Sequence, residues 1–410
     1  MALPQNGATG RNVNSPPRFV ANGFRGHSSE LDAAHLDGLR GDLRNDGLRD
    51  GIREGVAGGF GSPSTVLSRI PMTKRPERVL FFGKSMSRSR ATGGLVDAWR
   101  KHGVETRWLN LSTLRRWLGR ANALRWARRT YEKFAPDLVF VFCRDLPQVL
   151  LEEFRELTPI VLWVEQPMET HDVSMAHYMT LADLVVLSNP ARSGWLEEKG
   201  VRNILFQMDG FSPKYHFPIP PRSPKRDVVF VGGPGPNGRR ATFLAGIAEH
   251  FDLEVFGVGW DEWRDRYPRL QIRGPVKAPG FRKLCATSSI VLGLNQINDD
   301  PLYFSNRTFL TLACRGFHLT HYVPRLETVF RDGEQLAWYL DLDDCLERID
   351  QYLADPQERA RIAENGYRIA LERHQFSHRI ERILDVLTHG MPTIQEPTSS
   401  LRPVGIVESP

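Results

Sequence analysis

The residues best suited to chemistry lie in 305–330, SNRTFLTLACRGFHLTHYVPRLETVF. Asn306-Arg307 and His321-Tyr322 put polar groups at its two joints, where they could meet a phosphorylated or sugar-like ligand. A second constellation is Gly233-Pro234-Gly235-Pro236-Asn237-Gly238, followed by Arg239 and Arg240. Its G-x-G-x-x-G spacing lets backbone N–H groups and a helix N-terminus approach a diphosphate. A dinucleotide site would add an acid about 20 positions on. The next strand instead ends Phe256-Gly257-Val258-Gly259, and two prolines take N–H donors out of the loop. The arginines suit a diphosphate clamp, with a solvated surface turn as the alternative. Glu165, His171 and Asp172 follow a strand end where a general base could stand, or they are loop polars. His374 and His378 have i,i+4 spacing but no nearby acid or cysteine to complete a metal set, so a helix-start pair is the reading. Trp260 and Trp263 fit a core or interface better than a sugar-stacking platform.

These groups need a frame. Residues 305–330 read as a short apolar helix (308–314), a break at Arg315-Gly316, a strand (317–320) and a Pro-initiated helix (324–330). That order belongs to the C-terminal edge of an open α/β sheet, where ligands sit. Upstream, apolar β-branched runs at 78–82, 104–110, 137–143, 160–164, 182–187 and 203–207 alternate with amphipathic helical stretches. Such alternation argues a parallel sheet covered on both faces, hence a doubly wound domain over 76–210. Five prolines mark 211–225 as a linker. The pattern restarts at Asp227, giving a second domain over 226–373, and a helix over 374–389 that could cross back to the first. The expected class is α/β, with two Rossmann-like doubly wound domains facing a cleft.

The flanks read differently. Residues 1–75 are Gly/Asn/Ser/Asp/Arg-rich, and their near-repeats carry Gly38, Gly41, Gly47 and Gly51 at a cost of about 1 kcal/mol each in a helix. Disorder, or a weak helix ordering on a partner, is expected there, and a disordered Pro/Ser-rich tail over 390–410.

Across 410 residues, 41% hydrophobic and 25% charged, there is apolar material for two cores. No apolar run approaches the roughly 20 residues of a membrane span. The opening MALPQNG has no export signal, and the four cysteines show no metal or redox spacing. A cytoplasmic protein with reduced thiols is expected. The net charge of +6 would suit phosphorylated small molecules, an anionic membrane or nucleic acid. Arg115, Arg116, Arg120, Arg125, Arg128, Arg129 and Lys133 gather on one expected helix. It reads as an ordinary amphipathic surface helix or as an interfacial one meeting lipid head groups. No nucleic-acid motif accompanies it, so no nucleic-acid partner is expected.

The second domain resembles the bacterial CgeB-like proteins, glycosyltransferases of group-1 type with the GT-B fold. The likeness rests on DVVFVGGPGPNGRRATFL, EVFGVGW, IVLGLN, the whole of 305–330, DGEQLAWY and YLADPQERARIAENGYRIALERHQFSHRI, and more loosely on VLWVEQP and YMTLADLVVLSNP. It implies hexosyltransferase-type sugar transfer from a nucleotide-diphosphate donor, with no cofactor and no metal. The second domain would hold the donor and the first an unidentified acceptor. By position, Gly232, Gly233, Arg239, Arg240, Asn306 and Arg307 would hold the donor phosphates, and His321, Tyr322 and Glu327 the sugar or nucleoside. Arg307 and Glu327 become the catalytic candidates, and Glu165, His171 and Asp172 the acceptor side. The sequence departs from the family at Leu302 and Leu310, where many members carry carboxylates. Asp299, Asp300 or Glu327 would have to substitute, and a non-catalytic nucleotide-sugar or glycan-binding scaffold is the alternative.

Overall fold

The computed structural model describes residues 69–84, 91–165, 172–220, 223 and 225–392. Expectations for 1–68, for 393–410 and for His171 fall outside them.

The first sheet runs in chain order through β1 (Arg78–Phe82), β2 (Glu105–Leu109), β3 (Leu138–Phe142), β4 (Ile160–Val164), β5 (Leu184–Leu187) and β6 (Ile204–Phe206). It is parallel, in spatial order β2-β1-β3-β4-β5-β6. The central strands LVFVF and IVLWV are apolar throughout because both faces are covered. One face carries α2 (Leu111–Leu118), α3 (Arg120–Phe134), α4 (Gln148–Arg155), α5 (Val173–Met179) and α6 (Ser193–Glu198). The other carries α1 (Ala91–Lys101) and a helix from the far end of the chain, described below.

The second sheet is built from β7 (Arg226–Val231), β8 (Leu253–Phe256), β9 (Gln271–Arg273), β10 (Ser288–Gly293), β11 (His318–His321) and β12 (Ala337–Tyr339). Its order β12-β11-β10-β7-β8-β9 is that of a Rossmann sheet, with its switch point between β7 and β10. Helices α7 (Arg239–Ala248), α8 (Ala278–Thr287), α9 (Arg307–Ala313), α10 (Leu342–Ala354) and α11 (Pro356–Arg373) belong to it. Asp341 and Asp355 cap α10 and α11 by accepting from Asp344 N and Glu358 N. The expected fold class is therefore present: two parallel six-stranded sheets, each in an α/β domain.

Helix α12 (Phe376–His389) returns to the first sheet. Its Phe376, Ile380, Ile383, Leu384 and Leu387 pack with Val79, Phe81, Phe140, Trp163 and Val186. Burying side chains of this size contributes about 1.5–3 kcal/mol each. Met72 N donates to Leu387 O at 2.6 Å, and Ile70 and Met72, within the stretch expected to be a tail, pack against the same apolar cluster.

The chain crosses between domains twice, side by side. Phe211 N donates to His374 O at 3.2 Å and Phe376 N to Phe211 O at 2.9 Å. A Cβ on Gly210 would come within 2.9 Å of His374 O, which is why the approach needs glycine. Arg379 of α12, 3% exposed, ties both crossings: Nε and Nη2 donate to Asp209 O at 3.0 Å each, and Nη1 donates to Arg373 O at 3.0 Å.

Two expectations need correction. The single basic helix is two, broken at Gly119 (φ 78°), whose N–H closes α2 on Arg115 O. The expected helix over 324–330 is only a 3₁₀ turn, Leu326–Thr328, because Arg325 takes a left-handed conformation before it (φ 68°).

Candidate functional site

The turn after β7 is held from below. Gly232 N donates to Phe256 O at 2.8 Å, and its carbonyl accepts Trp260 Nε1 at 2.8 Å. Both its backbone groups are therefore used inside the domain. At Gly238 (φ 68°) a Cβ would fall 1.9 Å from the Trp263 ring. Both tryptophans thus shape the turn: Trp260 is buried and Trp263 stacks on Tyr267. The turn sends its two arginines opposite ways. Arg239 is exposed, while Arg240 folds inward. Arg240 Nη1 donates to Gly233 O at 3.4 Å and its Nε to Asn295 O at 3.2 Å, spanning the switch point between β7 and β10.

Asn295 carries the link onward. Its Oδ1 accepts Ser305 N at 2.9 Å, and Ser305 Oγ accepts Arg307 N at 3.3 Å and Arg307 Nη1 at 3.1 Å. Arg307 stands close enough to Arg240 that burial, and then this neighbouring charge, pull Arg240 down to about 10. Two guanidiniums held together in a partly buried wall lower each other's stability unless an anion joins them.

Beside them lies a cavity of about 630 Å³ between the C-terminal edges of the two sheets. Phe142 and Glu165 of the first domain line it, with Ser212 and His216 after the first crossing and Lys277, Asn306, Arg307 and Leu310 of the second domain. Burial, with Arg282 nearby, lowers His216 to about 4, so it is neutral. A smaller cavity of about 180 Å³ adjoins, lined by Glu165, Ser188, Asp209, Tyr303 and Asn306 among others. Glu165 and Asn306 are the wall between the two.

Glu165 follows β4 and Asp209 follows β6, and the two carboxyls face each other across the smaller cavity closely enough to perturb one another. Burial and then the Asp209 charge push Glu165 well above the usual carboxylate range. Burial also lifts Asp209, to about 6, against the opposing pull of Gly210 N–H at 2.9 Å, the Arg379 charge and the Asn306 amide. Asp209 and Arg379 went unnoticed in the sequence, where the only local sign was an Asp-Gly pair after a strand.

Other expected residues lie elsewhere. His321 Nδ1 pairs with Tyr322 O at 2.7 Å, and its ring meets the edge of Tyr339 at 5.2 Å. Tyr322 OH donates to Glu327 Oε2 at 2.9 Å, and Glu327 is exposed on the 3₁₀ turn. These three do not line either cavity. Asp172 caps α5 by accepting from Met175 N at 2.8 Å. Leu310 is half-buried on the cavity wall, and Leu302 is 1% exposed in the interdomain core. Asp299 is exposed, and Asp300 accepts from Asn189 Nδ2 of the first domain at 2.8 Å. His374 is buried and neutral, and His378 closes a capping box with Gln375. Among the described residues no group of three His, Cys, Asp or Glu could hold a metal ion, and no helix is long and apolar enough to cross a membrane.

Residues 239–385 match the family model described as glycosyl transferase-like. No curated protein matches the sequence. Among solved structures, Anabaena HepE in complex with UDP-glucose aligns with a TM-score of 0.56 and 14% identity, over 76% of this chain and 100% of that one. Sucrose-phosphate synthase from Thermosynechococcus elongatus gives 0.57 and 11%, over 76% and 99%. A DNA-modifying beta-glucosyltransferase gives 0.53 and 11%, over 75% and 99%. At such identities the likeness is one of fold, and the fold is GT-B.

Proposed function

We propose that the chain is a glycosyltransferase of CgeB-like, hexosyltransferase type that moves a sugar from a nucleotide-diphosphate donor to an acceptor. One observation carries this reading: Arg240 and Arg307 converge beside an interdomain cavity that Glu165 lines from the other domain. A departing nucleoside diphosphate gains negative charge as its bond to the sugar breaks, and paired guanidiniums meet that charge. They supply what a divalent cation would otherwise supply, so the reaction is proposed to need no metal and no cofactor. Asn306 and Gly233 border the donor, and Arg239 and Gly232 support the turn. Glu165 is proposed for the acceptor side, and His171 and Asp172 follow it in the sequence. The glycosyl transferase-like match over 239–385 supports this, as do the UDP-glucose and UDP complexes of Anabaena HepE. We propose a cytoplasmic protein whose basic helices α2 and α3 make peripheral contact with an anionic membrane surface.

The test is donor turnover and nucleotide binding in one preparation, with chelator present. Wild-type protein should turn over UDP-glucose in EDTA, and Arg307→Ala should lose at least about tenfold, some 1.4 kcal/mol or more, with its melting curve unchanged. Unaltered turnover in the variant would remove Arg307 from the donor site. Leu302 and Leu310, apolar where carboxylates were expected, favour a second reading as a non-catalytic binder. Calorimetric binding of nucleoside diphosphates without turnover would select it.

A further inference from the structure

We propose that Asn295 and Ser305 are positioning residues that hold Arg240 and Arg307 at one fixed spacing, ready for the phosphates of a leaving nucleoside diphosphate. The proposal rests on the glycosyltransferase reading above and adds the residues that assemble its clamp.

Asn295 follows β10 and is 4% exposed, so it has no room to swing. The strand end beneath it is fixed as well, since the buried Tyr339 hydroxyl donates to Gly293 O at 2.8 Å. From that place Asn295 serves both arginines with two different oxygens. Its main-chain carbonyl accepts Arg240 Nε at 3.2 Å, and its side-chain Oδ1 accepts Ser305 N at 2.9 Å. Arg240 Nη1 also donates to Gly233 O at 3.4 Å, so that guanidinium is held on two sides. Ser305 grips Arg307 twice with one atom. Its Oγ accepts the Arg307 backbone N at 3.3 Å and Nη1 at 3.1 Å, which folds the side chain back over the start of α9. Arginines from α7 and α9 are thus tied to a single buried residue between them.

Packing and helix capping do not account for these choices. Asn295 Nδ2 is buried with no partner among the described residues. A buried orphan donor is costly, so an apolar residue would suit a position needed only for packing. Ser305 O accepts Thr308 N at 3.0 Å, so the main chain already begins α9 without the hydroxyl.

The strut does electrostatic work. Two guanidiniums repel, and on flexible stems they would drift apart. Held together in advance, they meet an incoming diphosphate as a finished clamp, with no rearrangement left to make. The amide at 295 supplies its acceptor without a charge. A carboxylate there would pair with the guanidiniums and compete with the phosphates for them.

The test uses the full chain, with inorganic pyrophosphate and UDP as calorimetric probes and UDP-glucose for turnover. Pyrophosphate reads the clamp alone, without sugar or base. Ser305→Ala should weaken both probes about tenfold and slow turnover by at least as much. Ser305→Thr keeps the hydroxyl and should stay within about threefold of wild type. In an Arg307→Ala background, Ser305→Ala should cost less than about twofold more, because it acts through that guanidinium. Asn295→Asp, nearly identical in shape, should weaken pyrophosphate at least about tenfold. The proposal is overturned if Ser305→Ala binds pyrophosphate within about twofold of wild type, or if its full loss persists in the double variant. It also falls if Asn295→Asp binds pyrophosphate like wild type, or if wild type does not bind it. Should Ser305→Ala fail to fold, Asn295→Asp decides. If pyrophosphate follows the expected pattern while UDP does not bind, the strut stands and the glycosyltransferase reading fails.

Discussion

At the scale of single residues, the carboxyl pair has an energetic signature separate from catalysis. Both carboxyls are raised in the folded protein, so each favours folding fully below its unfolded value, near 4, and that advantage is lost as pH rises through the folded value. For Asp209 the loss runs from about pH 4 to about 6. Asp209→Asn removes the ionisable group and should melt higher than wild type at pH 8, with the difference vanishing near pH 4. Melting curves at the two pH values check this, and equal curves at pH 8 would show that the anion is not buried at a cost. Arg240, Asn306 and Arg307 were legible in the sequence because each sits in a local pattern, a glycine turn or a helix start. The acid pair was not legible as a pair. Glu165 and Asp209 end different strands, β4 and β6, and meet only because parallel strands bring their C-terminal ends to one edge.

Among the elements, strands were the most readable part of the chain, since runs such as LVFVF and IVLWV admit no solvent face. Helix breaks were harder, because one left-handed residue ends a pattern that periodicity alone would continue. Gly119 and Arg325 both do this. The first break has a functional side. It separates α2 from α3 and leaves Trp117 57% exposed beside Arg115 and Arg116. An aromatic ring next to arginines suits the boundary of an anionic bilayer. The protein should therefore sediment with phosphatidylserine vesicles in low salt. Trp117→Ser should weaken this several-fold, and 0.5 M salt should release the protein. Equal sedimentation with neutral vesicles would assign α2 and α3 to an ordinary solvated surface.

For the whole molecule, the two crossings and Arg379 matter most. The guanidinium binds Asp209 O and Arg373 O, one acceptor on each crossing, with His374 Nδ1 at 3.0 Å. Arg379→Met would leave these buried groups unpaired, at about 1–3 kcal/mol each. The denaturation midpoint should fall accordingly, and Arg379→Lys should rescue little, because an ammonium cannot reproduce the planar fork. An unchanged midpoint in Arg379→Met would mean the crossings hold without it. The return of α12 has a consequence of another kind, in the order of synthesis. A ribosome delivers β1 to β6 first and the whole second sheet next, and only then the residues of α12 that cover Val79, Phe81, Phe140 and Trp163. Until that helix emerges, α1 alone covers this face of the earliest-made sheet, and part of it stays greasy and open. The first half of this protein is thus the last to be finished, and a nascent chain stalled before Phe376 is a natural client for chaperones.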